Sequence, residues 1–350
     1  MADSVREQLG MNCAVSCYTS RPLLRSLACM AMLVCGFTEA AFANTPDRDR
    51  PDPILFEALQ NGLEARPLEA ADKASEAAAI EPKSRLAHWL RAQSVLTLAG
   101  SAPRIGKPDQ DFIEEARARL YAPPSGWLPK NILKLSTDQH MPPYTLLADL
   151  SVSRIYIFKN AASGPVLVEQ FYTTLGLEGA PKRREGDRKT PIGVYRVLKE
   201  IQNPRADGFL GHKAYTLDYP NPEDRKAGRT GSGIWIHGVP DEVHVRPPKA
   251  SDGCLAISND DMLRLRKYIQ FGRTLIVIAP KVQWASPEEW ANHSKPLIQK
   301  LSNAKEPPAA IFDVAPDRPL VSVHSSRDRL VRQFWRQRDG QLQSVLRERL

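Results

Sequence analysis

Cysteine is scarce in this 350-residue chain, and its placement rules out a disulfide framework. Cys13, Cys17, Cys29 and Cys35 all precede residue 44, so Cys254 is the sole thiol of the remaining sequence. A lone thiol makes no internal disulfide, and in an oxidising compartment it is a liability unless it is buried or used. A bilayer-length apolar run is missing as well. Leu27 to Phe37 falls far short of the ~20 residues a membrane-spanning helix needs, so no span is expected in the mature chain. Tight metal-ligand spacing is also absent: Cys254, His237, His244 and Asp252 are the set to weigh, and no two of them stand as a metal motif would place them. No metal or organic cofactor is therefore expected. The formal charge of +8 is a modest basic excess that suits an anionic wall or envelope, although many soluble proteins share it, and no nucleic-acid partner is expected.

Arg21 and Arg25 precede the apolar run and Ala41-Phe42-Ala43 follows it, the pattern of a secretory signal with an A-x-A cleavage site. Residues 1–43 are read as a signal peptide cleaved after Ala43, with Met11 as an alternative start. Arg6, Arg21 and Arg25 balance Asp3, Glu7 and Glu39, so its removal leaves the net charge unchanged. With no wall-sorting tail, the leader points to a periplasm.

The length suggests two or three domains. Residues 44–125 form an α-helical region: Leu55, Leu59 and Leu63, then Leu86, Trp89 and Leu90, fall at helical spacing. Ala70-Ala71 through Ala92 resembles one tetratricopeptide-like helix pair, and an ordinary helical hairpin fits as well. A further helix is expected from Gln110 to Leu120. Residues 144–281 switch to strand patterning, with strands at Tyr144 to Asp149, Arg154 to Phe158, Val166 to Gly176, Val194 to Leu198, Ala214 to Leu217, Ile234 to Ile236 and Thr274 to Ala279. Lys182 to Thr190 is too charged for a core. Ser258-Asn259-Asp260-Asp261 starts a helix that Gly272 stops after Phe271. Residues 282–350 are expected as a linker and helical tail: Trp284 to Leu301, then a charged amphipathic helix from Ser326 to Leu350 with Leu330, Val331, Phe334, Trp335, Leu342 and Leu346 as its apolar set. The class is α+β, a β-rich catalytic sandwich or barrel between helical ends.

The chemistry gathers in Ile234 to Asn259. A thiol works as a nucleophile in its thiolate form, and an adjacent imidazole is the common device that takes its proton. Cys254 is the candidate nucleophile and His237, at the end of a short apolar strand, the candidate base. The N–H groups of Gly253, Cys254 and Leu255 are candidate oxyanion donors. A buried structural cysteine and a core histidine are the bland alternatives. Asp252 faces either Cys254, whose thiolate it disfavours, or His237, whose imidazolium it stabilises; the second orienting role is favoured.

His237-Gly238, then Ser251-Asp252-Gly253-Cys254, Leu255 and Asn259, resembles the signature of the YkuD-type L,D-transpeptidases, with Asp252 where that family usually has histidine. Gly186-Asp187-Arg188-Lys189-Thr190-Pro191-Ile192-Gly193-Val194-Tyr195 is similar to the family's G-D-x-x-T-P-x-G-x-[FY] segment. The resemblance implies an exported enzyme that attacks the bond between meso-diaminopimelate and the terminal D-alanine of peptidoglycan stem peptides. An acyl-enzyme thioester then passes to an amine on a second stem or on a wall-linked protein. It also implies that the Gly238 carbonyl orients His237. Arg246 and Ser251 are assigned to substrate binding, Arg246 through a stem carboxylate, with a plain surface arginine as its alternative. A carboxypeptidase or cross-link-cleaving hydrolase, and a non-catalytic wall-binding module, are the competing functions.

Overall fold

The computed structural model describes residues 51–101, 107–161, 163–302, 307–326 and 329–350. The expected signal peptide lies outside the described residues. Four helices lead the described chain: α1 (Pro51–Leu63), α2 (Pro67–Ile80), α3 (Arg85–Leu98) and α4 (Lys107–Leu120). Proline opens α2 and the Ser84 side chain caps α3, accepting from the Ala87 N–H at 3.3 Å. Ala70, Ala74, Ala77 and Ala78 form the small, buried stripe that lets α2 lie close to its neighbours. The helices share a core that includes Leu55, Leu59, Leu86, Leu90, Ile113 and Ala116. The expected α2–α3 hairpin is thus one part of a four-helix cluster.

The strands that follow are β1 (Leu128–Pro129), β2 (Ile132–Leu135), β3 (Tyr144–Asp149), β4 (Arg154–Ala161), β5 (Gly164–Tyr172), β6 (Leu175–Gly176), β7 (Gly193–Gln202) and β8 (Lys213–Leu217). After the short helix α5 (Pro222–Lys226) come β9 (Trp235–His237), β10 (Lys249–Ser251) and β11 (Leu255–Ala256), then α6 (Asn259–Leu265), β12 (Leu275–Ala279) and β13 (Trp284–Ala285). An eight-stranded mixed sheet runs β11-β9-β8-β7-β12-β3-β4-β5. β12 is its centre: all five residues are buried, parallel to β3 and antiparallel to β7, as an unbroken apolar run requires. α6 is shorter than expected. Ser258 caps it, but the chain passes into a 3-10 turn at Arg266–Tyr268, and Ile269 turns inward in an extended conformation before Gly272 is reached.

The tail departs further from expectation. α7 (Pro287–Ser302) is the helix expected after Trp284, but the rest is strand: β14 (Ala310–Phe312), β15 (Leu320–Ser326), β16 (Arg329–Arg338) and β17 (Gln341–Arg349). With β2 they form an antiparallel sheet ordered β17-β16-β15-β14-β2. The amphipathic helix expected over 326–350 is therefore a β-hairpin. The misleading feature is burial on both faces of this sheet. Leu330 and Phe334 pack into the main core, while Trp335 and Leu342 pack with Leu301, Leu133 and Ile311 on the α7 side. Two-sided burial erases the alternation that marks a strand, and the apolar positions fall by chance near helical spacing.

One fully buried side chain ties the two sheets together. Arg332, on β16, donates to the Val194 carbonyl at 2.6 Å, to Asp218 at 3.0 Å and to Glu348 at 2.7 Å. Burial opposes its charge, but Asp218 and Glu348 outweigh that and hold its pKa above the ordinary arginine value.

Candidate active site

β9 lies between β8 and β11 at one end of the large sheet, antiparallel to the first and parallel to the second. The parallel register sets Leu255 opposite Ile236 and Ala256 opposite His237, which brings Cys254 alongside Trp235. A short strand, a loop and a second short strand thereby fold the two candidate groups onto adjacent chains.

Two glycines show how closely this backbone is packed. Gly253 has φ +124°, and a Cβ there would lie 2.6 Å from the Lys189 carbonyl oxygen. The residue before Cys254 therefore rests directly on the Gly186–Tyr195 block. A Cβ on Gly238 would lie 2.1 Å from the Asn259 side-chain oxygen. Asn259 needs that approach, because it accepts from the Val239 N–H at 3.2 Å and donates to the Val239 carbonyl at 2.9 Å.

That clamp holds the peptide next to the imidazole. His237 is 1% exposed, and its Nδ1 lies 2.6 Å from the Gly238 carbonyl. A carbonyl can only accept, so Nδ1 carries the hydrogen and the neutral ring presents Nε2 as its free basic nitrogen. The expectation that Gly238 orients His237 agrees with this contact. Burial pulls the imidazole down to about 4, the Gly238 carbonyl opposes that, and Arg246 adds to it.

The thiol is shifted the other way. Partly buried Cys254 donates to the Gly233 carbonyl at 3.3 Å. Burial pushes its pKa up to about 11; Asp252 pushes in the same direction, while a Trp235 backbone hydrogen bond, Arg246 and Lys182 pull against them. The resting pair is therefore neutral thiol and neutral imidazole. The orienting role favoured for Asp252 is not what the structure presents: the exposed carboxylate acts on Cys254 and Arg246 and is absent from the groups that shift His237.

Ser251 is also engaged differently from expectation. Its hydroxyl donates to the Cys254 carbonyl at 2.7 Å and accepts from the Gly253 N–H at 3.1 Å, so it braces the Cys254 turn. Gly253 accordingly has its N–H occupied, and Leu255 is fully buried within the β9–β11 ladder. Arg246 is at the site: its guanidinium stacks on Phe209 at 4.0 Å and donates to the Phe209 carbonyl, and its charge is felt by both Cys254 and His237. His244, on the same loop, faces the helical cluster, where it pairs with Glu81 and lies 3.5 Å from an Arg119 nitrogen.

Sequence reading missed several participants. Lys182, set aside as too charged for a core, is 3% exposed because Asp187 accepts from it at 2.8 Å. Asp187 also accepts from the N–H groups of Arg183, Arg184 and Lys189, and despite opposing burial these bonds hold its carboxyl down at about 2. Thr190 accepts from the Gly176 N–H at 2.8 Å. The Gly186–Tyr195 block was visible as a motif, but the carbonyl of Gly233 and the amide of Trp235 carry no side-chain signal at all.

Residues 143–278 match the family model of the YkuD L,D-transpeptidase catalytic domain. The curated protein "Putative L,D-transpeptidase YafK" of Escherichia coli (strain K12) is 28% identical over 153 residues, 42% of this chain and 56% of the relative. The chain thus spans about half the length of that relative. Among solved structures, Bdellovibrio bacteriovorus Bd1075 is 19% identical with TM-score 0.51, covering 64% of this chain and 99% of that one, a likeness of fold. The helical cell shape determining protein Pgp2 of Campylobacter jejuni is 16% identical with TM-score 0.43, covering 60% of this chain and 96% of that one.

Proposed function

We propose that the chain is an exported cysteine-dependent L,D-transpeptidase acting on peptidoglycan stem peptides in the periplasm. The observation that carries the reading is the placement of Cys254, immediately before β11, against the adjacent parallel strand β9 that ends in His237, with the imidazole set by the Gly238 carbonyl so that Nε2 is the basic nitrogen. The match of residues 143–278 to the family model supports the substrate class. The signal peptide expected at 1–43 supports export.

In the proposed reaction the Cys254 sulfur attacks the carbonyl carbon of the meso-diaminopimelate to D-alanine bond while its proton passes to His237 Nε2. With the Gly253 N–H occupied by Ser251, the Cys254 amide is the oxyanion donor we assign. Collapse of the tetrahedral species breaks the C–N bond, and His237 returns the proton to the departing D-alanine amine. An amine of a second stem or a wall-linked protein then attacks the thioester, giving up its proton and restoring the thiol. Arg246, a cation largely removed from water beside the sulfur, is suited to hold a stem carboxylate. Because the resting pair is neutral, proton transfer and attack must be coupled, and Asp252 slows that step.

Incubation of the protein with purified muropeptides, read by mass, tests the reading. New cross-linked dimers support it. Trimmed monomers transfer the assignment to hydrolysis, with water as acceptor, and unchanged muropeptides leave a wall-binding module.

A further inference from the structure

Away from the thiol, a cavity of about 320 Å³ opens at the seam between the large sheet and the C-terminal sheet. Arg183, Arg229, Arg318 and Arg336 line it, with Glu223 and Asp317 as its acids. Glu223 serves three of these cations: it pairs with Arg229, lies 3.5 Å from Arg336 and 4.0 Å from Arg318. Four guanidinium groups against two carboxylates leave the lining positive.

Arg318 is the decisive member. Its side chain is 8% exposed, yet Nε and Nη1 are buried without a hydrogen-bond partner among the described residues. Buried donors are ordinarily satisfied, and a charged one left bare is costly. Arg229, although paired with Glu223 and Asp224, is crowded by its neighbours: burial, then the Arg318 and Arg336 cations, pull its pKa below the ordinary arginine value. Asp224 relieves part of this by accepting from Arg229 at 2.6 Å, but burial pushes its own carboxyl up to about 6.

We propose that this four-arginine pocket binds a small oxyanion, a carboxylate or a phosphate group, which supplies the acceptors that Arg318 lacks. Guanidinium forks match both groups in geometry, and the volume admits one such group with a short attachment. The pocket is built on the loop that reaches the nucleophile: Arg229 lies four residues before Gly233, whose carbonyl accepts from Cys254, so the two are within about 14 Å along the chain. The Thr230 N–H also donates to the Arg183 carbonyl at 3.1 Å, joining the pocket to the Lys182–Asp187 segment beside the thiol. The inference rests on the arginines and stands apart from the acyl-transfer reading.

Titration calorimetry at fixed ionic strength, with inorganic phosphate and separately with glutarate, tests it on the full protein. We expect saturable binding of at least one, weakened about tenfold in Arg318→Gln and about threefold in half-exposed Arg336→Ala. Exposed Arg91→Ala and the nucleophile variant Cys254→Ala should bind as the parent does. Phosphate binding alone identifies a phosphoryl group as the occupant, and glutarate binding alone a carboxylate. Absence of binding by both, or equal binding in Arg336→Ala and Arg91→Ala, overturns the proposal, and a folding defect in Arg318→Gln leaves the Arg336→Ala comparison decisive.

Discussion

The Cys254 segment and the C-terminal hairpin solve the problem of holding a backbone in opposite ways. β9 and β11 are only three and two residues long, and their chain is fixed by side chains and close approaches: Ser251 across the turn, Asn259 on Val239, and Gly253 on the Lys189 carbonyl. β16 and β17, ten and nine residues long, are held by their own ladder and by apolar burial, with Arg332 as a fully buried ionic rivet. Where particular side chains and glycines set the backbone, residue identity leaves a trace in the sequence. Where packing sets it, many sequences serve and the trace is faint.

The contrast predicts that substitutions in the first region cost activity and those in the second cost stability. Cys254→Ala is the most severe: no acyl-enzyme mass and no muropeptide product, with an unchanged urea midpoint. His237→Ala should retain the fold and lose roughly two to four orders of magnitude in acylation rate, measured by single-turnover mass spectrometry. Arg332→Met should cost about 3–5 kcal/mol in urea unfolding, since Asp218 and Glu348 are left facing each other without their cation. Its per-molecule acylation rate in the folded fraction should stay near that of the parent. An equal loss of rate and stability would erase the distinction between the regions.

Asn259→Ala should lower acylation about tenfold with little change in melting temperature, because the peptide bearing the Gly238 carbonyl loses its clamp. Asp252→Asn should have the smallest effect and the opposite sign. The carboxylate raises the thiol pKa, so removing its charge lowers that pKa and moves the alkaline rise of the acylation pH profile to lower pH, with a gain of a few fold at neutral pH. A slower variant with an unmoved profile would return Asp252 to service of the imidazole.

The central strand of the catalytic sheet was legible because β12 is an uninterrupted apolar run, and the β3–β4 hairpin because its two runs flank a short polar turn. Cys254, His237 and Gly238 were legible through their motif and chemistry. Asp252 was misjudged because the orienting role was favoured from its place in the motif, whereas its carboxylate acts on Cys254, the side that two-residue spacing along a strand would give. Ser251 was placed by motif position, which does not reveal that its hydroxyl is occupied by the turn. The 326–350 segment was misread since burial on both faces of β16 removed the two-residue period. Lys182 was hidden by a rule of thumb that ignores paired burial with Asp187.

The contact between Gly253 and Lys189 has a consequence for transplantation. Because a backbone oxygen sits where a side chain would begin, the loop before Cys254 and the Gly186–Tyr195 block form one interlocking part made from two distant stretches of chain. Grafting a stretch that carries any side chain at position 253 would push on the Lys189 carbonyl and displace the Cys254 turn. Swapped together, the two stretches should travel as a cassette, so a designer who wants to retune this site has to exchange both or neither.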